Sequence, residues 1–482
     1  MSKIDLNKIP PFTRNILENF LIPLFPNNTH TCLLNCLNSK LAQVVAFKKA
    51  KFQKTEQDLS IPINYYALNF VASGGGKNVI FTYLDDYLLC LLQKRYEDED
   101  QKYYKNKLSK IEIIAEKRFP KNENSRNNFL QKEEKNIGQI RFISDIAGGT
   151  PEGLFSQLLI FQDAGIGCPF YQNNEFGGFI ENCNPQEKAL LYKLLDVYDG
   201  KAYDKSIKTE KRTKNISGVP VNVMLMSDTD KLLEPKAHHE LMKYFNQGMI
   251  RRAFITYQPR SLVKIFRNVD EFTTREDTAK LYAKNQQQRI IDLINDIPLE
   301  AAYKLQRDAR NIYVNYIANC AEKHNEIFGK IDNICLSDIL NRFWKTLKLA
   351  ALIAVTEHPQ QLIITAQDMN YAIYQTELFA EDFSAFFKAT PTSDAEKLFY
   401  FFYDNKDKWL TRTDINKQKF VHKDRFRMWF EENLEYLHEI ANKKGFDVIS
   451  EPFGRNGFKY KLIKNFIGDP LSQGVKDFKE LL

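Results

Sequence analysis

The sequence predicts an α/β protein built on a largely parallel sheet, with helical regions before and after it and a small separate unit near the C-terminus. From about 61 to 260, short apolar runs alternate with helical stretches and glycine turns, the pattern of strands joined by crossover helices. From 290 to 385 the chain becomes strongly helical. Near the end, helical stretches precede two alternating runs, FDVISEPF and FKYKLI, separated by a turn containing Asn456-Gly457, the strongest short hairpin signal.

At 482 residues the chain exceeds the roughly 250–300 residues over which one hydrophobic core grows, so two or three domains are expected. Hydrophobic residues (43%) suffice for cores and charged residues (27%) for a solvated surface, so the class is globular. No run approaches the ~20 apolar residues that span a bilayer, and the first 25 residues lack the apolar core of a signal peptide. The expectation is a cytoplasmic protein with no membrane partner. Seven scattered cysteines fit reduced thiols, and the close pair Cys32 and Cys36 reads as apolar helix residues.

In order, residues 1–60 read as a helical N-terminal region, with Ile16, Phe20, Leu21 and Leu24 at helical spacing. Residues 61–270 read as the α/β domain, carrying a charged insertion at 97–136 whose Lys, Glu, Asp and Asn suit a solvated helical excursion. Residues 271–390 read as a helical domain containing the apolar stretch LNRFWKTLKLAALIAVTEH. Residues 391–470 read as a winged helix-turn-helix, a module that binds nucleic acid or docks a partner, and 471–482 as a tail.

The chemistry centres on NFVASGGGKNVIF, residues 69–81. A phosphate loop needs backbone N–H groups converging on an anion, a lysine reaching the β and γ phosphates and an oxygen helping to hold Mg²⁺. Here an apolar run leads into Ser73, Gly74, Gly75 and Gly76, then Lys77, then a helix. Asn78 stands where a hydroxyl is usual, so an amide oxygen becomes the candidate metal ligand. A second apolar run ends in Asn173, Asn174 and Glu175. Glu175 is the candidate catalytic acid that positions water, and Asn174 replaces the usual metal-organising Asp. A third run, VPVNVMLMSDTD, ends in Ser227, Asp228 and Thr229, polar residues that could sense the γ-phosphate from an adjacent strand. Arg251 and Arg252 precede a fourth run; each reads either as a surface ion-pairing residue or as an arginine acting on a neighbouring subunit's nucleotide.

INYYALNFVASGGGKN, SDIAGGTPEGLFSQL, NNEFGGFI, LLDVYDGKAYDKSIKTEKR, GMIRRAFI and LNRFWKTLKLAALIAV occur in the order and approximate spacing of a family of phage, plasmid and prophage replication ATPases, and the chain resembles that family over about 55–385. The resemblance implies a RecA-like or superfamily-3-like (AAA+-like) motor using ATP and Mg²⁺, forming a ring, a hexamer, on single-stranded DNA. Lys77 would contact phosphate, Glu175 would be the catalytic acid and Arg251 or Arg252 the finger. A primase or polymerase partner and origin duplex DNA also follow from the resemblance. Asn78 and Asn174 depart from the active-ATPase pattern.

Net charge is +7, too modest by itself to establish a nucleic-acid partner. Between Lys201 and Gly218, however, six basic residues (Lys201, Lys205, Lys208, Lys211, Arg212, Lys214) face two acidic ones, a local charge of +4. Such a stretch is either a solvated loop or, in a ring motor, a channel loop gripping phosphates. In the C-terminal unit Arg425, Arg427, Arg455 and Lys459 are the candidate DNA contacts.

Overall fold

The computed structural model describes residues 4–464 apart from 56, 73–75, 204–214, 260–268, 329–332, 390–393, 407, 419–420, 422–425, 444–445 and 454–456. It is a mixed α/β structure divided into two compact units, 1–387 and 388–482. No helix among the described residues is long and apolar enough to cross a membrane.

The larger unit is organised by a five-stranded, all-parallel sheet. Its strands are β1 (Tyr66–Val71), β2 (Ser144–Asp145), β3 (Phe170–Asn173), β4 (Asn222–Asp228) and β5 (Ala253–Tyr257), in the spatial order β2-β3-β4-β1-β5. β1 is buried at every position, and so is all of β4 before Asp228. That explains why both read as continuous apolar runs rather than alternating ones: parallel strands are covered on both faces. The chain leaves β1 toward β2 at one edge, fills inward through β3 and β4, then passes β1 to reach β5 at the other edge. Connections leaving the adjacent strands β1 and β4 in opposite directions create a crevice at the carboxyl ends of those strands, where ligands bind in open α/β sheets.

Helix α1 (His30–Ala46) packs on β1, β4 and β5 and is buried at every position from Thr31 onward. Several of its polar residues bond within the core. Asn35 Nδ2 donates to Asn69 Oδ1 of β1 (2.9 Å) and to the Phe254 carbonyl of β5 (3.2 Å), while its own Oδ1 accepts from Tyr65 Oη (2.7 Å). The chain runs helically from α2 (Lys77–Tyr83) into a π-helical turn at Leu84–Leu88. On the other side of the cleft α3 (Phe176–Asn182) follows β3 directly. Later come α4 (Val269–Asp296), α5 (Asn333–Glu357) and α6 (Ala366–Ala389).

The segments expected as three regions, 1–60, 61–270 and 271–390, share one continuous hydrophobic core, and the division between units falls at 387/388. A second, small sheet stitches the outer segments together: Lys51–Gln53 pairs in parallel with Ala302–Leu305, which pairs in parallel with Ile363–Ile364. The charged insertion forms two helices, Cys90–Arg118 and Glu123–Glu134, mostly exposed, with Tyr96 and Tyr103 buried at their root.

The smaller unit has helices α7 (Asp394–Asp404), α8 (Arg412–Asn416) and α9 (Phe426–Lys443) followed by a hairpin of β6 (Phe446–Phe453) and β7 (Gly457–Lys464). A short strand, Leu410–Thr411, completes a three-stranded antiparallel sheet against β7. The unit has its own core, including Leu398, Phe402, Phe430, Leu437, Tyr460 and Leu462.

Candidate nucleotide site

Gly76 caps α2 in the left-handed region (φ +66°), with open space where a side chain would stand; backbone conformation, not crowding, selects glycine there. Lys77 follows as the first helical residue, and its Nζ lies 2.9 Å from Glu175 Oε2. These two side chains come from the ends of β1 and β3, with β4 between them. Ser73, Gly74 and Gly75 lie outside the described residues. Asn78 is exposed on the first turn of α2.

Glu175 is fixed by a relay along the sheet edge. Asn173 Nδ2 donates to Asp145 Oδ1 of β2 (3.1 Å), and Asn173 Oδ1 accepts from the Glu175 amide (3.1 Å). The carboxylate itself stays 64% exposed, open to a ligand or to another chain. Asn174 turns the other way, its Oδ1 accepting from Gln172 Nε2 at 3.3 Å. Gln172 in turn accepts from Lys40 Nζ (3.3 Å), a fully buried lysine on α1 that pairs with Asp85 of the π-helical turn at 2.7 Å. Burial pulls the Lys40 pKa down and pushes the Asp85 pKa up, while their mutual attraction opposes both shifts. An open cavity of about 530 Å³ adjoins this relay, with Asn174, Gln172, Asp85 and Arg141 in its walls. Lys77 and Glu175 lie outside that lining.

Ser227 is placed differently from the expectation. It is 1% exposed; its Oγ accepts the Gly177 amide at 2.9 Å and lies 3.1 Å from the Asp228 carbonyl. Rather than facing the cleft, it fastens α3 to β4. The approach is so close that a β-carbon on Gly177 would stand 2.5 Å from Ser227 Oγ, whereas one on Gly178 would meet nothing.

Arg251 and Arg252 precede β5, at the amino ends of the parallel strands, while Lys77 lies past their carboxyl ends. Six residues of β1 at roughly 3.3 Å each put about 20 Å between the two ends, so neither arginine reaches Lys77 of its own chain. Arg251 is exposed and donates from Nε to Ser337 Oγ (3.1 Å). Arg252 donates to the Gly248 carbonyl (3.0 Å) and lies over the Tyr198 ring at 5.8 Å.

The basic stretch starts and ends as a two-stranded antiparallel ribbon, Lys201–Tyr203 against Asn215–Ser217. Lys205, Lys208, Lys211, Arg212 and Lys214 lie outside the described residues; Lys201 belongs to the ribbon. The root is well defined: the Gly218 amide donates to the Gly200 carbonyl (2.9 Å), and buried Lys348 of α5 bonds Asn64 Oδ1 (2.6 Å), the Tyr198 carbonyl (3.1 Å) and Asp199 (3.0 Å). In the smaller unit Arg427 is exposed and pairs with Glu431 (3.2 Å), and Lys459 pairs with Glu451 (2.5 Å). Arg425 and Arg455 lie outside the described residues.

Asp145 and Asn173 escaped assignment from sequence. The available signal was an apolar run ending in Ser-Asp before glycines, the same form that marked Glu175. Among the described residues no three His, Cys, Asp or Glu side chains gather as for a protein-only metal site. No family model matches the chain, and no curated protein matches it.

Proposed function

We propose that the chain is an ATP-dependent DNA helicase, the replicative motor of a phage, plasmid or prophage-like element, working as a ring on single-stranded DNA. The observation that carries this reading is the 2.9 Å pairing of Lys77 with Glu175 at the carboxyl ends of β1 and β3. A lysine after a glycine-rich stretch and a carboxylate at the end of a strand one removed in the sheet are the two groups phosphoryl transfer to water requires. Lys77 would release Glu175 to hold the β and γ phosphates, and the freed carboxylate would orient a water and accept its proton. Mg²⁺ would neutralise the developing phosphate charge. Magnesium in such sites is held through substrate phosphates and waters with one or two protein oxygens, a role the exposed Asn78 would fill.

In this reading the larger unit is a phosphate-loop core of RecA-like or AAA+-like type and the smaller one a winged helix. Arg251 would act on the nucleotide of the next subunit in a hexamer, because it is exposed and stands at the far end of its own sheet. The basic ribbon beginning at Lys201 would face the channel and track the backbone of the DNA strand. A primase or polymerase partner would supply priming.

A second reading, a ring-forming initiator or loader with a slow nucleotide site, draws on one observation: both usual metal-organising positions hold amides, and the Asn174 oxygen is already engaged by Gln172. ATP hydrolysis by the full chain, with and without single-stranded DNA, tests the choice. The motor requires DNA-stimulated turnover lost in Lys77→Ala and Glu175→Gln; turnover that ignores DNA, or that survives both substitutions, sinks it.

A further inference from the structure

Beside α2 lies a second, smaller cavity of about 180 Å³. Ile80, Phe81 and Leu84 are buried, while Val79 and Tyr83, four residues apart, share one side of the helix and line this cavity. Opposite them stand Pro23, Leu24 and Phe25 from the N-terminal segment and Phe272 from the first turn of α4, with Arg275 and Glu276 at the edge. The walls thus combine apolar and aromatic side chains with the charged groups of Arg275 and Glu276, a mixture that suits a flat heterocycle with polar edges.

Two features separate this hollow from ordinary surface relief. Val79 and Phe272, both in its lining, are large apolar residues with 45% and 42% exposure. The tyrosine wall is also held in place. Tyr83 Oη donates to Glu276 Oε1 (2.7 Å), Lys280 pairs with the same oxygen (2.6 Å) and lies 5.3 Å from the Tyr83 ring centre, and Phe25 meets that ring edge-on at 5.7 Å. The volume falls below the roughly 300 Å³ at which whole drug-sized ligands are enclosed, so it suits one ring system rather than a complete nucleotide. Val79 is two residues past Lys77, about 3 Å along the helix axis, so the hollow lies within the length of a nucleotide whose phosphates reach Lys77.

We infer that this cavity is the base subsite of the nucleotide site, taking a purine ring against Phe272 and Tyr83. The inference rests on the reading of Lys77 as a phosphate ligand. The contact is stacking and apolar burial, and the proposal assigns no base-specific hydrogen bond.

The test is equilibrium binding to the full-length chain in Mg²⁺ buffer, with ADP and inorganic pyrophosphate as probes for wild type, Phe272→Ala and Phe272→Trp. The subsite predicts ADP binding well above pyrophosphate, an approximately tenfold loss of ADP affinity in Phe272→Ala, the size of one lost stacking contact, and retention in Phe272→Trp. Pyrophosphate affinity should be the same in all three. Equal binding of ADP and pyrophosphate, or ADP affinity untouched by Phe272→Ala, overturns the base subsite and leaves the phosphate site standing. Absence of binding by both probes overturns the nucleotide reading, and the subsite with it.

Discussion

The Gly177 amide donates to the hydroxyl of Ser227 at 2.9 Å, across a gap too narrow for a β-carbon. This contact sets where α3 begins, and α3 begins immediately after Glu175. Gly177→Ala should therefore push α3 off β4, costing about 1–3 kcal/mol as an overpacked core substitution does. Gly178→Ala meets open space and replaces a helical glycine, so it should be neutral or stabilising by up to ~1 kcal/mol. Thermal unfolding of the two variants checks the pair; equal melting temperatures would contradict the close approach.

The buried ion pair of Lys40 and Asp85 should show the asymmetry of such pairs. Lys40→Met leaves the Asp85 carboxylate without its cation and should destabilise by about 3–5 kcal/mol, whereas the double replacement Lys40→Met with Asp85→Leu should recover much of the loss. Urea titrations of the wild type and the two variants measure this. A single variant as stable as the double would mean the pair contributes nothing.

The two arginines before β5 should separate. Arg251→Ala, an exposed change, should alter stability by no more than about 0.5 kcal/mol while lowering ATP turnover about a hundredfold or more. Arg252→Ala loses the Tyr198 stacking and the bond to the Gly248 carbonyl, and should cost about 1 kcal/mol of stability. If Arg251 acts across subunits, mixing Arg251→Ala chains with Lys77→Ala chains restores part of the turnover. No recovery on mixing would confine Arg251 to its contact with Ser337.

Asp382 of α6 should make stability depend on pH. Burial raises its pKa to about 6, more than its bonds from Thr31 Oγ1 (2.6 Å) and the Tyr257 amide (3.4 Å) lower it, and neighbouring Glu381 adds to the rise. The folded state holds this proton more tightly than the unfolded chain, whose Asp titrates near ~3.9. The contribution is thus fully present below about pH 4 and lost as pH rises through about 6. Asp382→Asn, which cannot ionise, should reduce the fall in stability between about pH 4.5 and about pH 7.5. An unchanged fall would assign the effect to other carboxylates.

The strands were the most legible part of the fold. The continuous apolar runs around Leu68, Leu225 and Ile255 announced covered parallel strands, and the alternation in FDVISEPF and FKYKLI announced the β6–β7 hairpin. The partition of the helices was not legible. Helical spacing around Leu33 and Leu37 says that a face is buried but not what buries it, so the N-terminal region gave no sign that it covers the central sheet. At the candidate site, the glycine-rich stretch singled out Lys77 and the apolar run before it singled out Glu175, and the structure brings the two side chains to 2.9 Å. The partner of Ser227 was not legible because a hydroxyl at a strand end looks the same whether it faces a ligand or an amide such as that of Gly177. Asp145 was missed because its strand has only two residues.

The burial of α1 on every side sets a timetable for the nascent chain. Residues 30–46 need β5, which ends at Tyr257, and α5, which ends at Glu357, before their apolar surface is covered. At a synthesis rate of roughly 5–20 residues per second, the interval from Ala46 to Glu357 is about 15–60 seconds. Throughout that time a sticky helix near the beginning of the chain awaits partners not yet made, so this protein is expected to draw on chaperones during translation.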